Sequence, residues 1–156
     1  MVQLCLLLTP TACGMLTLKS SDAKDAPLLD PNLLGNDLDR GLLFAGTKTT
    51  IEIMKGQLGR ELDAQEYGID EAIRDDTSED ALTARWLKTG RTCNHGSGTC
   101  AMGSVVDSEC RVKGIEGLRV VDASVFPFPL AAHYQAAVYA VAEQVGDIKR
   151  PSRVEC

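Results

Sequence analysis

The sequence predicts an α+β fold, an antiparallel sheet packed with helices and completed by a carboxy-terminal strand and helix. Three observations carry this prediction. Apolar segments near the start are separated by Pro10 and Gly14, two central stretches carry helix-capping residues, and the last segment places Val138, Val141, Ala142, Val145 and Ile148 at helical spacing. With 156 residues and 44% hydrophobic content, the chain is long enough for one domain with a core and too short for two comfortable ones.

Residues 3–9 and 15–19 read as strands, neighbours or a hairpin, joined through the fixed φ of Pro10 and the permissive backbone of Gly14. Residues 20–36 are rich in Ser, Asp, Pro and Asn, and Asp30-Pro31-Asn32 favours an extended or turned path, so a long surface loop is predicted. Asn36 or Asp37 caps a helix that runs to about Leu58, with Asp39 suited to the positive end of its dipole and Gly59 as the stop. Residues 60–76 are acidic and weakly patterned. Thr77 to Asp80 forms a capping signal for a short helix that carries Leu82 and Trp86 on one face and ends at Gly90.

From Arg91 onward, glycines at 96, 98, 103, 114 and 117 punctuate short segments and suit close approach of backbone to a ligand. Residues 118–122 are an apolar strand candidate ending in an acid. The final helix is predicted over residues 133–149, with His133 at its amino end, and the tail 151–156 is expected to fray. Phe44, Trp86 and Tyr139 are assigned to core or pocket lining.

Composition excludes several function classes. Sixteen Lys and Arg against 22 Asp and Glu give a net charge of -6, which repels nucleic acid and anionic lipid, and 4% aromatic content offers no base-stacking surface. No stretch approaches the length needed to span a bilayer. The apolar start lacks the basic leading region of a secretion signal, the first Lys being Lys19, and is read as a buried strand; localisation is not legible. Six cysteines, at 5, 13, 93, 100, 110 and 156, lack the paired spacing of zinc ribbons. Most are read as small buried residues or free thiols, and the redox compartment stays open. Cys93, His95 and Cys100 lack a fourth ligand at sensible spacing, so no metal site is assigned.

The chain holds two histidines. His95 sits in Thr92-Cys93-Asn94-His95-Gly96-Ser97-Gly98-Thr99-Cys100-Ala101-Met102-Gly103, and His133 follows Pro127 and Pro129. Imidazole titrates nearest neutrality of all side chains, so such a pair can accept and hold a proton from a substrate hydroxyl. Taken alone, each is equally readable as an ordinary hydrogen-bonded histidine, and Asp122 as a turn cap.

Taken in series, His95 to Gly103, Val105-Val106-Asp107, and Arg111 through Lys113-Gly114, Gly117 and Val120-Val121-Asp122-Ala123-Ser124 resemble the closing motifs of glucose-methanol-choline (GMC) oxidoreductases. The series continues through Pro127, His133, Ala140 to Glu143 and Asp147, and more weakly backwards through Asp30-Pro31-Asn32 and Asp37 to Arg40. The resemblance implies FAD as cofactor and a small-molecule alcohol as substrate, which loses a proton to a histidine and a hydride to the flavin. It implies His95 as the base and His133 as its partner, a position that is His or Asn in the family. Asp122 and Ala123 match the segment near the flavin's ribityl and phosphate region, and the backbone of Tyr134 matches the position beside its pyrimidine edge. In domain terms, residues 1–117 are a substrate-binding domain with the first active-site histidine, 118–150 a strand and helix contributing to the flavin site, and 151–156 a tail.

The glycine-rich dinucleotide fingerprint of an FAD domain is not found. Gly96-Ser97-Gly98 continues as Thr99-Cys100-Ala101 and does not follow a strand start. The expectation is therefore a truncated product, one piece of a split protein or a late-starting gene model. It would be inactive alone and bind FAD weakly, with an amino-terminal FAD-binding half or a partner chain supplying the rest. Two other functions fit the same residues: a non-redox GMC-fold cyclase or dehydratase, and a non-catalytic domain that docks on a flavin-binding partner.

Overall fold

A computed structural model describes residues 5–149, which form two units with the boundary between Cys93 and Asn94. The fold is α+β.

In the first unit, β1 (Met15–Thr17) pairs antiparallel with β2 (Leu28–Asp30), with Leu16 opposite Leu29. This corrects the predicted pairing. Residues 5–9 form no strand, residues 3 and 4 lie outside the described part, and the partner comes from within the predicted loop. The reversal is made locally: the Ser20 hydroxyl donates to Asp25 (2.8 Å), the Asp22 amide donates to Ser20 Oγ, and the Lys24 amide to Asp22 Oδ1. Gly14 admits the closing approach, since a Cβ there would lie 2.3 Å from the Asp30 carbonyl oxygen. The pair leaves Met15, Leu16, Leu18, Leu28 and Leu29 exposed.

Helix α1 (Asp37–Lys55) starts as predicted, with Asn36 Oδ1 accepting from the Asp39 amide at 2.8 Å. Its inward face is Phe44, Thr47 and Ile51, at helical spacing. Asp39 itself is 2% exposed and ties the helix to the incoming chain, its carboxylate accepting from the Thr11 amide and hydroxyl and from the Ala12 amide at 2.9 Å each. Burial opposes its ionisation, yet these bonds together with Asn36 prevail and hold its pKa below the ordinary value. Replacing Asp39 with Ala strips three donors of a charged acceptor, and chemical denaturation is expected to show a loss of about 2–3 kcal/mol.

The helix stops earlier than Gly59. Gly56 adopts ψ -178°, which breaks the ladder, and α2 (Gln57–Glu61) restarts after it. Gly59 is buried within α2, where a Cβ would overlap the Met54 carbonyl. Its role is close packing, and Gly56 makes the stop. Helix α3 (Glu79–Thr89) is capped by Ser78 and closed by Gly90, whose amide bonds the Trp86 carbonyl at 2.8 Å. Trp86 Nε1 donates to Thr47 Oγ1 (3.0 Å), whose hydroxyl donates in turn to the Leu43 carbonyl, so α3 and α1 are joined through a satisfied polar chain beside the fully buried Leu82.

The second unit packs around Val106, Cys110, Val125 and Val145, flanked by Met102, Val112, Val120, Val121, Phe126 and Val141. Val145 comes from α4 (Gln135–Lys149). The predicted strand at residues 118–122 is reduced to an isolated bridge between Arg111 and Arg119, because Asp122 turns away to cap the 3-10 turn Ala123–Val125. Tyr139, expected as core or pocket lining, is 63% exposed, and α4 begins two residues after His133.

Candidate active site

Two segments of the second unit build the site. Residues 95–103 run beside the 122–126 turn, with the Cys100 amide donating to the Ser124 carbonyl (3.0 Å) and the Met102 amide to the Val125 carbonyl (2.8 Å). Gly98 takes φ +88° facing the Phe126 carbonyl, a conformation that glycine adopts without strain. After Phe126 the chain passes Pro127 and Pro129 and returns through residues 130–134, closed by the Leu130 amide donating to the Tyr134 hydroxyl at 3.3 Å.

The result is a contact between residues 38 positions apart: His133 Nδ1 and His95 Nε2 are 2.8 Å from each other. The imidazole rings are tilted by 52° with centroids 4.9 Å apart. Between two neutral imidazoles such a bond requires one nitrogen to donate and the other to accept. One proton therefore lies between the two nitrogens. His95 is half-buried and His133 exposed, so the pair is reachable from solvent. An alcohol oxygen that parts the two nitrogens meets one acceptor and one donor.

Tyr134 is buried, and its ring stands edge-on to His95 at 5.0 Å and to Phe126 at 5.7 Å. Its hydroxyl lies 3.3 Å from Ser97 Oγ. The sequence reading pointed only to the backbone of Tyr134. Its side chain, Ser97 and Phe126 were not singled out, and the sole sequence signal was that Ser97 is two residues from one histidine and Tyr134 adjacent to the other.

Asp122 behaves as the turn cap: Oδ1 accepts from the Ser124 amide (2.8 Å) and hydroxyl (2.5 Å). The residue is exposed and next to the small Ala123. An exposed carboxylate beside a side chain without bulk is compatible with a hydroxylated cofactor chain such as the ribityl of FAD. Among the described residues no cluster of His, Cys, Asp or Glu could hold a metal ion.

The adjoining loop is fixed electrostatically. Asp107 Oδ1 accepts from the Arg111 and Glu109 amides (2.9 Å each) and Oδ2 from Arg111 Nε (2.8 Å), holding the carboxyl down to about 2 from its ordinary 3.8. A depressed carboxylate contributes stability that is complete above its ordinary pKa and lost as pH falls through the lowered one. The Glu109 and Arg111 amide resonances are thus expected to hold position to below pH 3.8 and to move with a midpoint near 2.

Residues 10–142 match the family model for GMC oxidoreductase, in its carboxy-terminal portion. The chain belongs to the GMC oxidoreductase family. It is 40% identical over 144 residues to the GMC-type oxidoreductase acuG of Aspergillus aculeatus, covering 91% of this chain and 28% of that protein. It is 35% identical over 152 residues to versicolorin B synthase of Aspergillus parasiticus, covering 89% of this chain and 22% of the relative. Among solved structures, a variant of formate oxidase from Aspergillus oryzae RIB40, studied for its FAD modification, superposes with a TM-score of 0.76 at 30% identity, covering 89% of this chain and 25% of that one. This GMC chain thus spans between a fifth and a third of the length of these proteins.

Proposed function

We propose that this chain supplies the substrate-side histidine pair of an FAD-dependent oxidoreductase acting on the CH–OH group of a small alcohol. The observation that carries the reading is the 2.8 Å approach of His133 Nδ1 to His95 Nε2, in a chain of the GMC family. His95 accepts the hydroxyl proton, and His133 donates to the same oxygen and holds the developing alkoxide in place. As the carbonyl forms, the hydrogen on the carbinol carbon leaves as hydride. FAD, when bound, supplies the acceptor for that hydride. Asp122, Ala123 and the Tyr134 backbone are the residues assigned to hold it, within a contribution made by residues 118–150. The ADP half of FAD needs a glycine-rich turn that this sequence does not contain, so a flavin-binding portion, in the same polypeptide or a partner, completes the site. Exposed Met15, Leu16, Leu28 and Leu29 are apolar surface of the kind that such a portion would cover.

The test is dye-coupled turnover by the flavin-loaded protein that contains these residues, with a panel of primary and secondary alcohols. Decolourisation of a two-electron acceptor dye with matching aldehyde or ketone formation is expected. A second reading, acid/base cyclisation or dehydration without net redox change, is favoured by the 35% identity to a relative named as a synthase. It predicts substrate conversion with the dye unchanged.

A further inference from the structure

Besides the two imidazoles, the Tyr134 side chain reaches both histidine-bearing segments of the second unit. It follows His133 directly, its ring packs edge-on against His95 at 5.0 Å, and its hydroxyl sits 3.3 Å from Ser97 Oγ, two residues beyond His95. The same oxygen accepts from the Leu130 amide and so closes the turn that brings His133 around. Phe126 braces the ring from another side at 5.7 Å.

We propose that Tyr134 is a positioning residue that keeps His95 Nε2 within hydrogen-bond reach of His133 Nδ1, a role distinct from any contact its backbone makes with a cofactor. His133 is exposed and precedes α4, so the helix ladder does not fix its ring, and His95 lies in a glycine-flanked segment. The two rings are held at 2.8 Å, and the 7% exposed tyrosine packed against one and adjacent in sequence to the other is placed to set their separation. The ring supplies the packing surface, while the hydroxyl pins residues 97 and 130.

The role serves the proposed alcohol oxidation, yet its test requires neither flavin nor substrate. In the full 156-residue chain labelled with nitrogen-15, scalar coupling across the imidazole N–H···N bond reports the His95–His133 contact directly. Coupling is expected in the native chain and, weakened, in Tyr134→Phe, which keeps the ring but loses the hydroxyl's bonds to residues 97 and 130. It is expected to disappear in Tyr134→Leu, with the Val106 and Val125 methyl resonances still at their native shifts. Coupling that survives in Tyr134→Leu, or that is absent from the native chain, would overturn the proposal. If coupling follows the ring but the flavin-loaded protein oxidises no alcohol, the functional reading fails and the positioning role stands.

Discussion

Replacing His95 with Ala in the flavin-loaded protein is expected to slow alcohol-driven flavin reduction by about 100- to 10,000-fold, the usual contribution of a positioned general base. The direction follows from the site. His95 is half-buried and its Nε2 already meets His133 Nδ1 at 2.8 Å, so it is the ring held where a proton can be passed between two nitrogens. His133 is exposed, and His133→Asn keeps a donor on the same oxygen, so that variant should lose less. Flavin content should be unchanged in both, because neither substitution touches the 122–124 turn. Rapid-mixing absorbance under anaerobic conditions measures the rate. Equal losses in His95→Ala and His133→Asn would mean that the base is wrongly assigned.

Replacing Arg85 with Ala is expected to cost the first unit about 3–5 kcal/mol, the range for breaking a buried ion pair by removing one partner. Arg85 is 2% exposed on α3, and its guanidinium organises a segment that has little regular structure of its own. Nε donates to Glu66 Oε1 (2.8 Å), Nη1 to the Asp76 carbonyl (3.0 Å), and Nη2 to the carbonyls of Ile73 (2.6 Å) and Arg74 (2.8 Å). Truncation leaves three carbonyls and a carboxylate without that donor. Arg85→Lys places a point charge where a planar fork is needed and should recover only part of the loss. Urea denaturation gives the energy, and limited proteolysis should show new cleavage within residues 66–76. A variant as stable as the native chain would show that the segment is held by other contacts.

Features decided within one turn of chain were legible in the sequence. Asn36 and Gly90 act on neighbouring residues and appear where predicted, while of the predicted α4 stripe Val145 is buried, Val138 and Val141 are half-buried, and Ala142 and Ile148 are exposed. Ser78, inside the Thr77 to Asp80 signal, caps α3. Pairing between strands is a distant property, and it misled the reading. Leu28–Asp30 sits amid Ser, Asp and Pro and gave no strand pattern, yet the Ser20 to Asp25 turn delivers it to Met15–Thr17. Residues 118–122 had strand composition, but their pairing with residues 110–112 stops at a single bridge. Gly59 looked like a helix stop because a glycine needed for packing and one needed for termination are the same letter.

The site divides in the same way. His95 and His133 were found through their motif surroundings, but the contact between them spans 38 positions and only the fold displays it. Asp122 was open between cap and cofactor contact, and its carboxylate makes the cap. Tyr134 was noticed for its backbone, since nothing local indicates that its ring lies against His95.

The central claim is that the histidine pair serves a reaction in which the flavin is the oxidant. Its most direct test is an anaerobic titration of the flavin-loaded protein with alcohol, followed by flavin absorbance and product analysis. Each equivalent of alcohol is expected to bleach one equivalent of flavin and to appear as one equivalent of carbonyl compound. Product formed while the flavin stays oxidised would contradict it and assign the pair to acid/base chemistry alone.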